Sequence, residues 1–417
     1  MNIAIFTNAY KPIISGVVNC IDLMRENLIK KGHNVFLFAP EFSGYTDKEE
    51  NVYRYPSVSL TNKVKFPVPI TIFPIAEKIM TTKKIDIIHC HHPFVLGAEG
   101  ARWAERLKVP LFFTFHTQYE QYAHYIPFPE EFVKSVSKSV VSSYAKKCSV
   151  IITPGTAIVE QLKGYGITKN VVHMPNSINL SSFSNPDGKM VREKYNIGTN
   201  EKLLVYVGRM AQEKNIPMMI DSFSIINDKA PSRLMIIGEG PELEYFKTYA
   251  KDKGLDERII FTGRVEYDRI SEYYGSADAF VMTSTTEVKP LALLEAMASG
   301  LPIIAVNACG ASDTIINGYN GLLTGESKEE FANAVIKVIT DKELLKTMKQ
   351  NSIKVSEDYS VEKITDKLLI LYTEAIKNQK TSGHRNLRLM LADRRQRHFL
   401  RLIKLVRSVK KFFLTEY

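Results

Sequence analysis

The chain has 417 residues, 45% apolar and 24% charged, with a formal net charge of +10. That length exceeds one ordinary hydrophobic core and the composition is that of neither a disordered nor a fibrous protein, so two globular domains are expected. No run approaches the roughly 20 apolar residues that cross a bilayer, "MNIAIFTNAY" lacks the basic start of a secretory signal, and Cys20, Cys90, Cys148 and Cys309 are too scattered for a zinc site or disulfide framework, which fits a reducing cytosol.

From the N-terminus, "NIAIFT", "NVFLFAP", "IDIIHC", "PLFFTFH" and "SVIITP" are short, β-branched or aromatic runs bounded by turn residues, and they predict strands. Helix-period segments, Asn19 to Lys31 and Gly97 to Leu107 among them, lie between. Such alternation predicts parallel strands covered on both faces. "MPNSINLSSFSNPDGKM" is polar and turn-rich and reads as a linker near residue 180. A second series follows in "KLLVYVGR", "RLMIIGEG", "RIIFTG", "AFVMTS" and "PIIAVN", and then a helix, "VEKITDKLLILYTEAIKN". The expected fold class is α/β, two doubly wound Rossmann-like domains facing a cleft. Residues 1–180 form the first and 181–380 the second, whose last helix packs back on the first; 381–417 form a basic tail. Ligands of such sheets gather at the carboxyl ends of strands.

The strand-end residues of the second domain carry the chemistry. In "YVGRMAQEKNI", Gly208 lets the backbone turn, and Arg209 and Lys214 place two cations beyond the strand, which suits a diphosphate. In "TSTTEVKPLALLEAMAS", Pro290 suits a helix start and predicts a helix from about Pro290 to Ser299, its N-terminus favouring an anion. Glu287 precedes that helix and Glu295 lies about two turns along it, on a nearby face. Carboxylates aimed at a diphosphate would repel it, so these two are expected to accept hydrogen bonds from sugar or ribose hydroxyls. In the first domain, His116 follows a strand in "TFHTQYEQYAHYIP" and is expected to point into the cleft. "HCHHP", His89 to Pro93, invites a metal reading, but no carboxylate or cysteine sits at supportive spacing, and strand-end polar residues account for it.

"GRMAQEKNI", "IIGEGPELE", "FTGRVEYDRISEYYGSADAFVMTST", the Glu287 to Glu295 pair, "EAMASGLPIIA" and "INGYNGLL" occur in one order, and the chain resembles the retaining glycosyltransferases of family 4, which have the GT-B fold. The resemblance covers about residues 1–375. It implies that Glu287 contacts donor-sugar hydroxyls and Glu295 the ribose, that Arg209 and Lys214 hold the diphosphate and stabilise the leaving group, and that the backbone around Val265 reads the base. It adds Gly16, Gly238 and Leu291 to the donor-binding set and puts His116 close to the reacting sugar. The implied catalytic set is His116, Arg209, Lys214 and Glu287. No tightly bound cofactor and no metal is implied, because fixed cations neutralise the phosphates. Three positions depart from the family: Ser15 and Pro290 stand where glycine is common, and Lys289 where an aromatic residue or Gln is.

The basicity belongs to the end of the chain. From His384 onward ten Lys and Arg face only Asp393 and Glu416, so the preceding residues are nearly neutral. A helical projection from Phe399 puts Leu402, Val406, Val409 and Phe413 on one side and Arg401, Lys404, Arg407 and Lys411 on the other, as in a helix lying in a membrane interface. Packing on the protein body is the competing reading; nucleic acid is disfavoured because interleaved aromatic residues are few. "ISGVVN" with "HTQYEQYAHYI" is similar to the bacterial diacylglycerol glucosyltransferases within the family. That implies UDP-glucose as donor, diacylglycerol as acceptor, and a peripheral enzyme on the cytoplasmic face of the membrane, docked on anionic lipid through residues 384–417. The same fold could serve a phosphatidylinositol, a polyprenyl-linked sugar or a polysaccharide; a non-catalytic nucleotide-sugar-binding or tethering protein is the rival from another class.

Overall fold

The structure, a computed structural model, describes residues 1–58, 67–116, 118, 120, 129–308 and 310–382. Residues 1–376 make one compact unit and 377–417 a second. The expected basic tail, most of "HTQYEQYAHYI" and Cys309 lie outside the described residues.

The first half runs β1 (Asn2–Phe6), α1 (Gly16–Lys30), β2 (Asn34–Pro40), β3 (Val52–Tyr55), a small antiparallel pair β4 (Ser57–Val58) and β5 (Val68–Pro69), α2 (Pro74–Thr82), β6 (Ile87–Cys90), α3 (Val95–Leu107), β7 (Leu111–Thr114), α4 (Glu130–Ala145), β8 (Val150–Thr153), α5 (Thr156–Gly164) and β9 (Val171–His173). The second runs α6 (Lys189–Lys194), β10 (Lys202–Val207), α7 (Ile216–Lys229), β11 (Ser232–Ile237), α8 (Leu243–Asp252), β12 (Ile259–Gly263), α9 (Ile270–Gly275), β13 (Ala279–Met282), α10 (Leu291–Ala298), β14 (Ile303–Val306), β15 (Gly321–Thr324), α11 (Lys328–Thr340), α12 (Lys342–Ser356) and α13 (Val361–Ser382). Among the described residues the first sheet has the order β3-β2-β1-β6-β7-β8-β9 and the second β12-β11-β10-β13-β14-β15, parallel throughout.

The central strands are buried at every position, as in β6, β7, β13 and β14, so they read as continuous apolar runs. Of the strands absent from the sequence reading, β4 and β5 are two residues each, and β3, β9 and β15 are edge strands with half-exposed residues and therefore weaker apolar signatures. Helix α1 starts three residues before the expected Asn19, because the Ser15 hydroxyl accepts from the Val18 N–H and caps the first turn. Ile364, Leu368 and Tyr372 of α13 share a core with Ile3, Ile5 and Leu37 of the first sheet. Val288, from the second half, is buried with Phe6 and Phe113 of the first. No helix among the described residues is long and apolar enough to cross a membrane.

Candidate active site

Strand β1 lies between β2 and β6, and β10 between β11 and β13, so strand order reverses at both places. Loops leaving neighbouring strands diverge at such a point and open a crevice. Of the residues singled out from the sequence, Gly16, Gly208, Arg209, Lys214, Gly238, Glu287, Leu291 and Glu295 sit on these loops or on the elements just beyond them, whereas His116 follows β7 and Val265 follows β12.

In the second half the loops after β10 and β11 touch through backbone. Gly238 holds φ 140°, and a Cβ there would collide with the Gly208 carbonyl oxygen, so this position excludes a side chain; a Cβ on Gly208 would meet the Tyr206 hydroxyl instead. Arg209 follows on the exposed side. Lys214 ends a short turn and is only 7% exposed; its Nζ forms an ion pair with Glu287 Oε1 from the loop after β13. Hydroxyls join those two loops. Thr283 Oγ1 donates to the Lys214 and Asn215 carbonyls at 3.2 and 2.8 Å, and Ser284 Oγ to the Glu213 carbonyl at 3.2 Å. Thr283 and Ser284 are fully buried, and buried hydroxyls need partners, so their run in "TSTT" fixes the geometry around the ion pair.

Helix α10 begins at Leu291; Pro290 stands one place before it as the cap residue, with extended ψ of 127°. The expected start at Pro290 is thus corrected by one residue, and Ser299 likewise lies just beyond the helix end. Leu291 and Val265 are half-buried against the core of the second half. A Cβ on Gly16 would lie 3.8 Å from Leu291 Cδ1, so the first turns of α1 and α10 face each other across the two halves. Glu295 is 5% exposed and its Oε2 accepts from the Tyr274 hydroxyl at 2.8 Å. Burial pushes its carboxyl up to about 7, although hydrogen bonds from Tyr274 and Tyr267 act the other way. Burial together with the Glu295 charge pushes the Cys20 thiol of α1 up to about 12.

The wall contributed by the first half is a stack of histidines. His116 Nε2 lies 2.8 Å from His91 Nδ1, and the His91 ring is stacked between those of His89 and His116, at 4.5 and 5.1 Å. His89 is tied at both nitrogens, to the Tyr372 hydroxyl at 2.6 Å and to Thr114 Oγ1 at 2.7 Å. His92 Nδ1 meets Thr7 Oγ1 at 3.3 Å across the β1–β6 reversal. Burial pushes His89 and His116 down to about 3, His92 to about 4 and His91 well below the usual imidazole range. All four are neutral at pH 7. His89, His91 and His116 line a cavity running from Cys20 and Met24 of α1 to Leu368 of α13, and its described lining carries no Asp, Glu, Lys or Arg. Among the described residues no group of three or more His, Cys, Asp or Glu is arranged to hold a metal.

Lys289 is built into the contact between the halves. It is 5% exposed, its Nζ donates to the Asp313 carbonyl at 3.2 Å and lies 4.8 Å from the Tyr359 ring centre, and burial pushes it down to about 8. Its own carbonyl accepts from Asn176 at 2.9 Å, and the Asp313 carboxylate accepts from the Thr156 N–H and hydroxyl. The structure therefore brings Gly208 to Gly238, Lys214 to Glu287 and Gly16 to Leu291, and buries Glu295 beneath the Tyr274 hydroxyl. The sequence reading missed the hydroxyl staples, the tyrosines over Glu295 and the partner of His116; the "TSTT" run was the one local cue.

A family description, Glycosyltransferase Family 4, matches residues 14–182, and Glycosyl transferases group 1 matches residues 189–355. The chain is 33% identical to an alpha-monoglucosyldiacylglycerol synthase of Streptococcus pneumoniae, over 73% of this chain and 71% of that one. It is 30% identical to the protein of the same name from Acholeplasma laidlawii, over 91% of this chain and 99% of that one. Among solved structures, Anabaena HepE in complex with UDP superposes with a TM-score of 0.73 at 19% identity, covering 90% of this chain and 100% of that one, and HepE is also known with UDP-glucose. These neighbours establish the GT-B arrangement of the two halves.

Proposed function

The chain belongs to the family 4 glycosyltransferases, and from that premise we propose that it transfers an α-glucosyl residue from UDP-glucose to 1,2-diacylglycerol at the cytoplasmic face of the cell membrane. The observation that carries this reading is the similarity to two alpha-monoglucosyldiacylglycerol synthases, one of them along nearly its whole length. HepE, of the same fold, binds UDP and UDP-glucose, which supports the donor.

In this reading Arg209 and Lys214 hold the diphosphate and stabilise the charge that develops on it as the glycosidic bond breaks. An ammonium has three N–H donors, so Lys214 can hold the Glu287 carboxylate and phosphate oxygens together. Pairing with Lys214 sets the direction of Glu287, which accepts hydroxyls of the glucose, while Glu295 takes the ribose. Gly208 and Gly238 let backbone approach the phosphates, Leu291 and Gly16 close over the donor, and the backbone near Val265 meets the base. Retention proceeds by front-face attack, the departing phosphate taking the acceptor's proton, with His116 beside the sugar. The uncharged wall of histidines suits a neutral hydroxyl acceptor, and residues 384–417 hold the enzyme on anionic lipid.

A radiolabelled panel of UDP-glucose, UDP-galactose and GDP-mannose against diacylglycerol in anionic vesicles tests the reading, with the full chain and with a chain ending at residue 383. Glucolipid from UDP-glucose is expected. No lipid product with any donor refutes the lipid acceptor, and unchanged vesicle binding by the shortened chain refutes the role of the tail.

A further inference from the structure

His91 is 2% exposed, its Nδ1 meets His116 Nε2 at 2.8 Å, and its own Nε2 is buried with no hydrogen-bonding partner among the described residues. A residue kept only to fill space would be apolar here, because a buried polar atom without a partner is destabilising. Among the described residues, the cost falls on the side chain whose nitrogen meets that of His116. Two neutral imidazoles joined this way share a single proton. If His116 donated, His91 would carry its proton on Nε2, a buried N–H with no acceptor. If His91 donates, Nε2 is a bare lone pair, and buried donors without acceptors are the rarer case in proteins. We infer that His91 is a positioning residue: its Nδ1–H donates to His116 Nε2 and thereby holds His116 in one orientation and as the Nδ1–H tautomer, a hydrogen-bond donor beside the reacting sugar. Stacking on His89, itself fixed by Tyr372 and Thr114, holds the His91 ring in place.

The kinetic consequence rests on the glycosyl-transfer reading; the tautomer does not, and the test keeps them apart. Full-length protein labelled with 15N-histidine is expected to show His116 protonated on Nδ1. His91→Leu should change the His116 nitrogen shifts, and His91→Asn, whose amide reaches the Nδ1 position, should restore them. With UDP-glucose and diacylglycerol vesicles, His91→Leu should lower kcat ~100-fold, the effect of ångström-scale misplacement, while KM for UDP-glucose stays within about twofold and His91→Asn recovers most of the rate. In a His116→Ala background His91→Leu should cost nothing further. Unchanged His116 shifts in His91→Leu, or losses that multiply in the double variant, overturn the inference. A wild-type chain that transfers nothing with any donor refutes the proposed function, and the nitrogen spectra still decide the pair.

Discussion

Replacing Glu295 by Gln is expected to stabilise the protein above neutral pH while impairing it as an enzyme. The buried carboxyl titrates at about 7 against an ordinary 4.5, burial being the main cause. The unfolded chain therefore releases this proton near pH 4.5 and the folded chain near 7, and between them the folded state holds more protons. Stability is fully present below 4.5, falls as pH rises through the window, and is flat above it. The integrated loss over that window is about 3 kcal/mol. Gln cannot titrate, so the variant lacks this slope. Its amide brings an offset of ~1–3 kcal/mol if an N–H is left without a partner, but that offset does not change with pH. The quantity to read is thus the difference between variant and wild type as a function of pH.

Urea unfolding followed by circular dichroism from pH 4.5 to 8 gives that difference. It should shift by about 3 kcal/mol in favour of Gln across the window, while KM for UDP-glucose rises tenfold or more as a charge-assisted hydrogen bond to the ribose is lost, ~1.5–3 kcal/mol. A difference that stays level with pH would refute the burial argument. An unchanged KM would remove Glu295 from the donor site.

Lys214→Ala should lower kcat/KM for UDP-glucose by ~10²–10³-fold, the scale for losing one preorganised charge stabiliser; a loss below tenfold in steady-state assays would end its diphosphate role. Gly238→Ala puts a methyl against the Gly208 carbonyl at φ 140°, and urea unfolding should show ~1–3 kcal/mol of destabilisation from the strained backbone, with weaker UDP binding by calorimetry. His89 titrates at about 3 when folded against an ordinary 6.5, so the unfolded state protonates first and stability is lost as pH falls below 6.5. His89→Gln should make that acid limb shallower in denaturation measured between pH 7 and 5, the part due to His91, His92 and His116 remaining.

The fold was legible where burial is complete. Runs such as "AFVM" and "LFFT" are apolar at every position because helices cover both faces, and the alternation with helices then dictates parallel order. Edge strands such as "VYRY" escaped because one margin faces solvent and the apolar signal thins. Single candidates could be picked out for a local reason: Gly208, Arg209 and Glu287 follow strands β10 and β13 at the ends where such sheets place ligands. Pairings were not. Lys214 meets Glu287 across 73 positions and His91 meets His116 across 25, and only the sheet order brings them together. A helical projection put Glu295 near the line of Glu287, yet it cannot show that Tyr274, from a different helix, covers the carboxylate and that burial then shifts its titration.

The two walls of the site differ in a way that bears on what each can hold. The second half carries formal charge, Lys214 paired with Glu287 and Arg209 exposed just past β10, whereas the cavity wall from the first half offers hydrogen-bonding side chains with no charge at neutral pH. Binding a charged headgroup on that uncharged wall would cost desolvation with no counter-ion to offset it. A neutral hydroxyl carries a far smaller desolvation cost than a charged headgroup, and one hydrogen bond can offset it. Charge and neutrality are thus divided as the proposed reaction needs: the anionic leaving group against the cations, and an uncharged alcohol against the histidines. Addition of a phosphorylated lipid such as phosphatidylinositol to the vesicles, in competition with diacylglycerol, should therefore leave glucosyl transfer to diacylglycerol dominant, and preferential labelling of the anionic lipid would overturn the argument.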